Sequence, residues 1–174
     1  MRCEEENKML KLNVGCGDAV VDRPGWANVD LGAPRPLARA RWVESDVSSL
    51  PFQDNSCSLV VASHVLEHLA DPAKALKEWL RVLTPGGEVL VAVPDQSKEG
   101  EWIAAHLATW HARGRSPLEE HRSEFTQASL EHALHMAGFV EVYAEDPRLR
   151  WELPGKALWQ AVAKGVKRRQ AVAA

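Results

Sequence analysis

The sequence predicts an α/β fold built on a largely parallel, doubly wound sheet, and three observations carry that expectation. Short runs rich in Val and Leu alternate with segments of helical periodicity. The first run, Leu10–Val14, stops at two glycines separated by one residue, Gly15-Cys16-Gly17. The second, Trp26–Asp30, closes on a carboxylate. A buried strand that ends in a tight glycine turn offers backbone amides to a ligand. An acid at the carboxyl end of the adjoining strand offers an acceptor to ribose hydroxyls. The pair points to a nucleoside-containing cofactor.

Five strands are expected in the first half, at Leu10–Val14, Trp26–Asp30, Arg41–Asp46, Ser58–Ala62 and Glu88–Val93. Only eight residues, Asp18 to Gly25, join the first two. A parallel crossover usually needs about a dozen, so a shortened or missing first helix is predicted. Asp71-Pro72 reads as an N-cap followed by proline at the first helical position. Ala75, Leu76, Trp79, Leu80 and Leu83 then repeat at helical spacing until Thr84-Pro85-Gly86-Gly87. Asp95 to Phe125 is a long polar and aromatic insertion after the fifth strand, placed to cover an active site. A second helix is expected from Thr126 through Leu130, Leu134 and Met136 to Gly138. Phe139–Tyr143 and Ala157–Ala163 read as final strands. The Asp146–Lys156 link is too short for a helical crossover, so that pair is expected to be antiparallel. One domain over 1–164 and a flexible basic tail over 165–174, with Lys167-Arg168-Arg169, complete the expectation.

Composition narrows the function classes. At 174 residues the chain fits one domain, large enough to bury roughly 70% of its unfolded surface. A net charge of -3 argues against a general nucleic-acid binder. Three scattered cysteines, Cys3, Cys16 and Cys57, form no C-x-x-C pair and support neither a disulfide framework nor a zinc ribbon. There is no run of about 18 apolar residues and no signal-like apolar core, so no membrane span and a soluble cytoplasmic protein are expected. Among seven tryptophans, Trp79 falls on the apolar helix face, whereas Trp102, Trp110 and Trp151 lie in polar surroundings, as core, rim or ligand-site residues. Exposed tryptophans would leave room for a homodimer.

The turn also discriminates between cofactors. Dinucleotide sites favour G-x-G-x-x-G around a pyrophosphate. Here Val20 stands at the third glycine position, and Asp18 would set a negative charge beside the phosphates. A phosphate-free cationic cofactor tolerates both. Four ordered stretches then resemble the class I S-adenosylmethionine (SAM)-dependent methyltransferases of the type 11 group: Leu12–Gly17, Asp46–Phe52, Ser63–Leu69 and Glu78–Gly87. The Pro24-Gly25-Trp26-Ala27-Asn28-Val29-Asp30 run is similar to small members with a shortened first helix, several of which act on sugars. The resemblance implies a Rossmann-like three-layer αβα fold with strand order 3-2-1-4-5-7-6 and strand 7 antiparallel. It implies that Gly15, Cys16 and Gly17 lie against the methionine part of SAM and that Asp30, followed by Leu31, takes the ribose. It implies Asp46 and Val47 at the adenine, and Ser63 and His64 near the sulfonium.

The stretch His64-Val65-Leu66-Glu67-His68 matches the H-x-x-E-H spacing of inverted zinc peptidases. That chemistry needs a sustained helix, and Asp71-Pro72 starts a new one three residues later. The same stretch is similar to the Glu-His element that holds a divalent metal in small-RNA 3′-terminal and ubiquinone-pathway O-methyltransferases. That likeness implies Glu67, His68 and His121 as ligands. The reading favoured over a metal makes His68 a hydrogen-bonded wall residue and Glu67 a partner for a cation such as Arg122. A proton acceptor for an alcohol nucleophile is sought first in His64 or His68, then in Asp95 and His121. His106 and His111 fall in the insertion, and His132 and His135 on a solvated helix face. The expected function is methyl transfer from SAM to a small-molecule or saccharide hydroxyl or amine. A SAM-binding partner subunit without catalysis is the alternative, and a nicotinamide-dependent oxidoreductase is disfavoured by Val20 and Asp18.

Overall fold

The computed structural model describes residues 9–32, 34, 36–98, 121–144 and 160–169. Its strands are β1 (Leu10–Val14), β2 (Trp26–Asp30), β3 (Arg41–Glu44), β4 (Cys57–Ser63), β5 (Leu83–Pro94), β6 (Val140–Ala144) and β7 (Gln160–Val166). They form one sheet in the order β3-β2-β1-β4-β5-β7-β6. The first five are parallel, and β7 runs antiparallel to both β5 and β6, as expected. The winding reverses between β1 and β4. In such sheets the carboxyl edge at the reversal opens a crevice for ligands.

Two helices pack on one face. α1 (Pro72–Val82) starts at Asp71, whose side chain accepts the Lys74 amide. Its buried residues Ala75, Leu76, Trp79 and Val82 follow the expected period. α2 (Gln127–Ala137) begins with reciprocal bonds between Thr126 and Ser129 and ends at Gly138, with φ of 107°. Its buried residues are Leu130 and Leu134; Met136, expected on the same stripe, is 70% exposed. Leu12, Val14, Val60, Val89, Val91 and Ala163 join these helix residues in the larger core. The opposite sheet face carries a smaller cluster of Trp26, Val61, Ala92 and Val162. Among the described residues no helix lies on it.

That second face is where a first crossover helix would pack. The β1–β2 connection is instead held by polar side chains. Asn13 and Asn28 are register partners, and both are buried. Asn13 Nδ2 donates to Asn28 Oδ1 at 2.9 Å and to the Ala19 carbonyl at 2.8 Å. Asn28 then receives the Val21 amide and donates to the Val21 carbonyl. Further along, the Asp22 carboxylate accepts the amides of Ala38, Arg39 and Ala40.

Several strand ends differ from expectation by a residue or more, and three boundaries differ for a visible reason. β3 stops at Glu44, because Asp46 folds the chain into a turn by accepting the Ser48 amide and hydroxyl. α1 ends with Leu83 extended rather than at a left-handed glycine, and β5 starts there. Gly165 and Val166 finish β7 rather than open a tail. The chain stays anchored beyond them, since Lys167 exchanges backbone bonds with Gly86 and Gly87 and its Nζ donates to Asn55, Arg81 and Leu83.

Candidate functional site

The carboxyl ends of β1 and β4 meet at the winding reversal, and the Gly15-Cys16-Gly17 turn sits between them. Gly15 has φ of 62°, and a Cβ there would stand 2.2 Å from Val65 Cγ2. Glycine is therefore required on both steric and conformational grounds, and the turn is locked against the chain that leaves β4. Gly17 has φ of 49°, with nothing within 4 Å of a Cβ position. Its surroundings are open space. Cys16 is buried, and its carbonyl accepts the Ala19 amide.

Asp30 faces this turn from the end of β2. Its Oδ2 accepts the Gly17 amide at 2.8 Å and its Oδ1 accepts the Gly32 amide at 3.0 Å. Two backbone donors fix the carboxylate plane while each oxygen retains a second lone pair. A vicinal diol is matched by that arrangement. Leu31, 70% exposed, flanks it. Asp46 lies beyond β3, where the Ser48 amide and hydroxyl hold its carboxyl below the ordinary carboxylate value. Val47 is buried, and its carbonyl accepts the Trp79 indole N–H at 2.9 Å. Core packing by α1 thus sets the position of the Asp46–Val47 turn.

Ser63 ends β4, and His64 follows with φ of 54°. His64 Nε2 lies 2.5 Å from Gln160 Nε2, and its Nδ1 lies 3.3 Å from Glu67 Oε1. A short 3-10 turn, Leu66–His68, carries Glu67 and His68. Glu67 is 1% exposed, and neither carboxylate oxygen has a hydrogen-bond partner. The expected pairing with Arg122 is not what forms. Arg122 and Ser123 give their backbone amides to the Glu67 carbonyl, at 2.8 and 3.1 Å. The Glu67 carboxylate instead meets His64 and, at 3.8 Å, His68 Nε2.

Those backbone bonds draw His121 to the site. Its ring lies edge-on to His68, with centroids 4.9 Å apart. Asp95 is buried at the end of β5, where its carboxylate accepts the Ser97 amide and hydroxyl and so shapes the turn over Gln96–Lys98. That bonding gives it a structural task. Trp102, His106, Trp110, His111 and Trp151 lie outside the described residues, and His132 and His135 are exposed on α2. The fold thus gathers the turn, Asp30, Ser63, His64, Glu67, His68 and His121 along one edge.

Several contributors escape sequence reasoning. Gln160, which is buried and opens β7, touches His64 only through the antiparallel return. The Asn13–Asn28 pair leaves a weaker signal, a polar residue inside each of two otherwise apolar strands.

A family model for the methyltransferase domain matches residues 26–91. A probable S-adenosylmethionine-dependent methyltransferase of Mycolicibacterium smegmatis is 35% identical over 106 residues, covering 58% of this chain and 37% of that protein. The ubiquinone/menaquinone biosynthesis C-methyltransferase of Idiomarina loihiensis is 40% identical over 55 residues, covering 32% of this chain and 22% of that protein. The chain thus spans well under half the length of these relatives. Among solved structures, a SAM-dependent methyltransferase of Thermotoga maritima, titled as a possible histamine N-methyltransferase, superposes with a TM-score of 0.61 at 18% identity. The superposition covers 91% of this chain and 82% of that one. The family implies SAM as cofactor, which the two-glycine turn and the oriented Asp30 carboxylate fit. By its matched domain and its relatives the chain is similar to SAM-dependent methyltransferases, and its strand order gives it their fold.

Proposed function

We propose that the protein transfers a methyl group from SAM to a hydroxyl of a small-molecule or saccharide acceptor. The observation that carries this reading is the Asp30 carboxylate, fixed by the Gly17 and Gly32 amides beside the glycine turn at the carboxyl edge of the sheet. Bound SAM supplies a methyl group made electrophilic by its positively charged sulfur. The protein's part is alignment and exclusion of water. Asp30 receives the two ribose hydroxyls on its remaining lone pairs. The Gly15–Gly17 turn lines the methionine moiety, with Cys16 against the sheet and Leu31 flanking the ribose. Asp46 accepts the adenine amino group, and the Val47 amide lies beside the ring. Ser63 and His64, on the backbone that packs against Gly15, orient the incoming hydroxyl. A net charge of -3 supports a neutral acceptor over a polyanion.

Methyl-labelled SAM, offered with panels of hydroxyl, amine and quinone-ring acceptors, tests the proposal. Label should appear on a hydroxyl acceptor, and Asp30→Ala should reduce transfer at least tenfold. Label confined to a nitrogen or a ring carbon would overturn the hydroxyl assignment. SAM uptake without transfer to any acceptor would favour a non-catalytic SAM-binding subunit.

A further inference from the structure

We propose that Gln160 is a positioning residue for methyl transfer, whose buried side-chain amide fixes the orientation of the His64 ring. His64 Nε2 lies 2.5 Å from Gln160 Nε2, and His64 Nδ1 lies 3.3 Å from Glu67 Oε1. Gln160 is 5% exposed and Glu67 1%, whereas the His64 side chain is 28% exposed. Each ring nitrogen thus faces a buried polar group, and the ring keeps an open part for what enters the crevice.

The backbone delivers both partners with little freedom. The His64 amide donates to the Ala92 carbonyl of β5 at 2.9 Å, and Val65, next in the chain, packs against Gly15. With φ of 54°, His64 takes a left-handed conformation that a residue with a Cβ keeps only where its surroundings enforce it. From the other side, Gln160 stands opposite Pro94 in the β5–β7 register. Pairing of β7 with β6 runs to Ala163 among the described residues. There the Gln127 side chain of α2 takes over. Its Oε1 accepts the Val162 amide at 3.0 Å, and its Nε2 donates to the Val162 carbonyl at 3.1 Å. The strand that carries Gln160 is therefore held along both edges close to it.

Packing alone does not call for an amide at this position. The next three residues of β7, Ala161, Val162 and Ala163, are buried and apolar. A buried amide loses its hydration and recovers the loss only through a partner. Among the described residues that partner is the His64 ring. An amide carries a donor and an acceptor side by side, so it serves the ring in either tautomer. The consequence for catalysis rests on the methyl-transfer reading, in which Ser63 and His64 orient the incoming hydroxyl. In-line displacement needs the acceptor oxygen aligned with the methyl carbon and the departing sulfur, and a small misplacement lowers the rate steeply. Gln160 acts through His64, by keeping the ring from turning about its side-chain bonds.

The test is Gln160→Met, which keeps an unbranched side chain of similar size and removes the amide. With methyl-labelled SAM and a hydroxyl acceptor that takes up label, kcat should fall by about fivefold or more. The KM for SAM and the affinity for S-adenosylhomocysteine should change less than about twofold. In a His64→Ala background the same substitution should leave kcat nearly unchanged, because its effect runs through the missing ring. Nitrogen NMR of the imidazoles supplies a readout without turnover. At one fixed pH the His64 ring signals, identified by their loss in His64→Ala, should shift in Gln160→Met while those of the exposed His132 stay in place. Should Gln160→Met fold poorly, Gln160→Asn, whose amide stops one methylene short of the ring, replaces it. Additive losses in the double variant, or His64 ring signals that do not move, overturn the proposal. Absence of transfer by the wild type to any acceptor would instead count against the methyl-transfer reading, and the ring signals would still decide whether Gln160 holds His64.

Discussion

The β1–β2 and β4–β5 connections solve the same problem, linking neighbouring parallel strands, by opposite chemistry. Between β4 and β5 the chain builds an amphipathic helix that is capped by Asp71 and buries Trp79 completely. Between β1 and β2 eight residues cannot make a helix of useful length. There the buried amides of Asn13 and Asn28 bind the Ala19 and Val21 backbone, doing what a ladder of helical bonds would do. Hydrophobic burial is tolerant of exact geometry, whereas a buried amide network is stabilising only when every member is satisfied. The short connection is the more brittle of the two, and it adjoins the turn proposed to hold the cofactor.

The largest effect should come from the helical side. Trp79→Ala should cost about 3–5 kcal/mol in urea denaturation, the range for emptying a large aromatic site. Trp79→Phe should cost less but still weaken SAM binding, since the Val47 carbonyl loses its indole donor. Next comes the polar side. Asn28→Leu should cost about 2–3 kcal/mol, because it strands the Val21 amide and carbonyl and the Asn13 amide. A double-mutant cycle with Asn13→Leu should be clearly non-additive, and additivity would mean that the pair is not a unit.

Acid should then act on both connections. Asp22 is held below its ordinary value of 3.8 by the Ala38, Ala40 and Arg39 amides. Glu78 is held below 4.5 by the Arg81 guanidinium and the Leu50 amide. A carboxylate whose folded pKa is depressed contributes stability above its unfolded value and loses it as pH falls through the folded one. Denaturation midpoints should therefore drop below pH 4.5 for Glu78 and below pH 3.8 for Asp22. Asp22→Asn and Glu78→Gln should each flatten that acid limb, and an unchanged limb would show that neither pair matters. The smallest effect belongs to Met136→Glu, which should stay within about 0.5 kcal/mol because the side chain is exposed.

This contrast also explains what was legible beforehand. Periodicity reveals burial wherever an element repeats, so α1, the parallel strands and the antiparallel β7 were readable from residue spacing. Met136 misled because α2 turns only a narrow stripe inward, through Leu130, Leu134 and in part Ala137, and Met136 lies off that stripe. The glycine turn and Asp30 were readable because backbone conformation and strand-end position restrict residue choice. Glu67 was visible as a residue but not as a buried, unsatisfied carboxylate, since its surroundings come from β4, the 3-10 turn and the distant 121–123 segment. Gln160 was hidden for the same reason: its contact with His64 spans 96 positions.

Calorimetric titration of the wild type and Asp30→Ala with SAM tests most directly whether the oriented Asp30 carboxylate grips the cofactor's ribose. One site per wild-type chain, with affinity reduced at least tenfold in the variant, is predicted. Equal affinities, or no heat with either protein, would contradict the account.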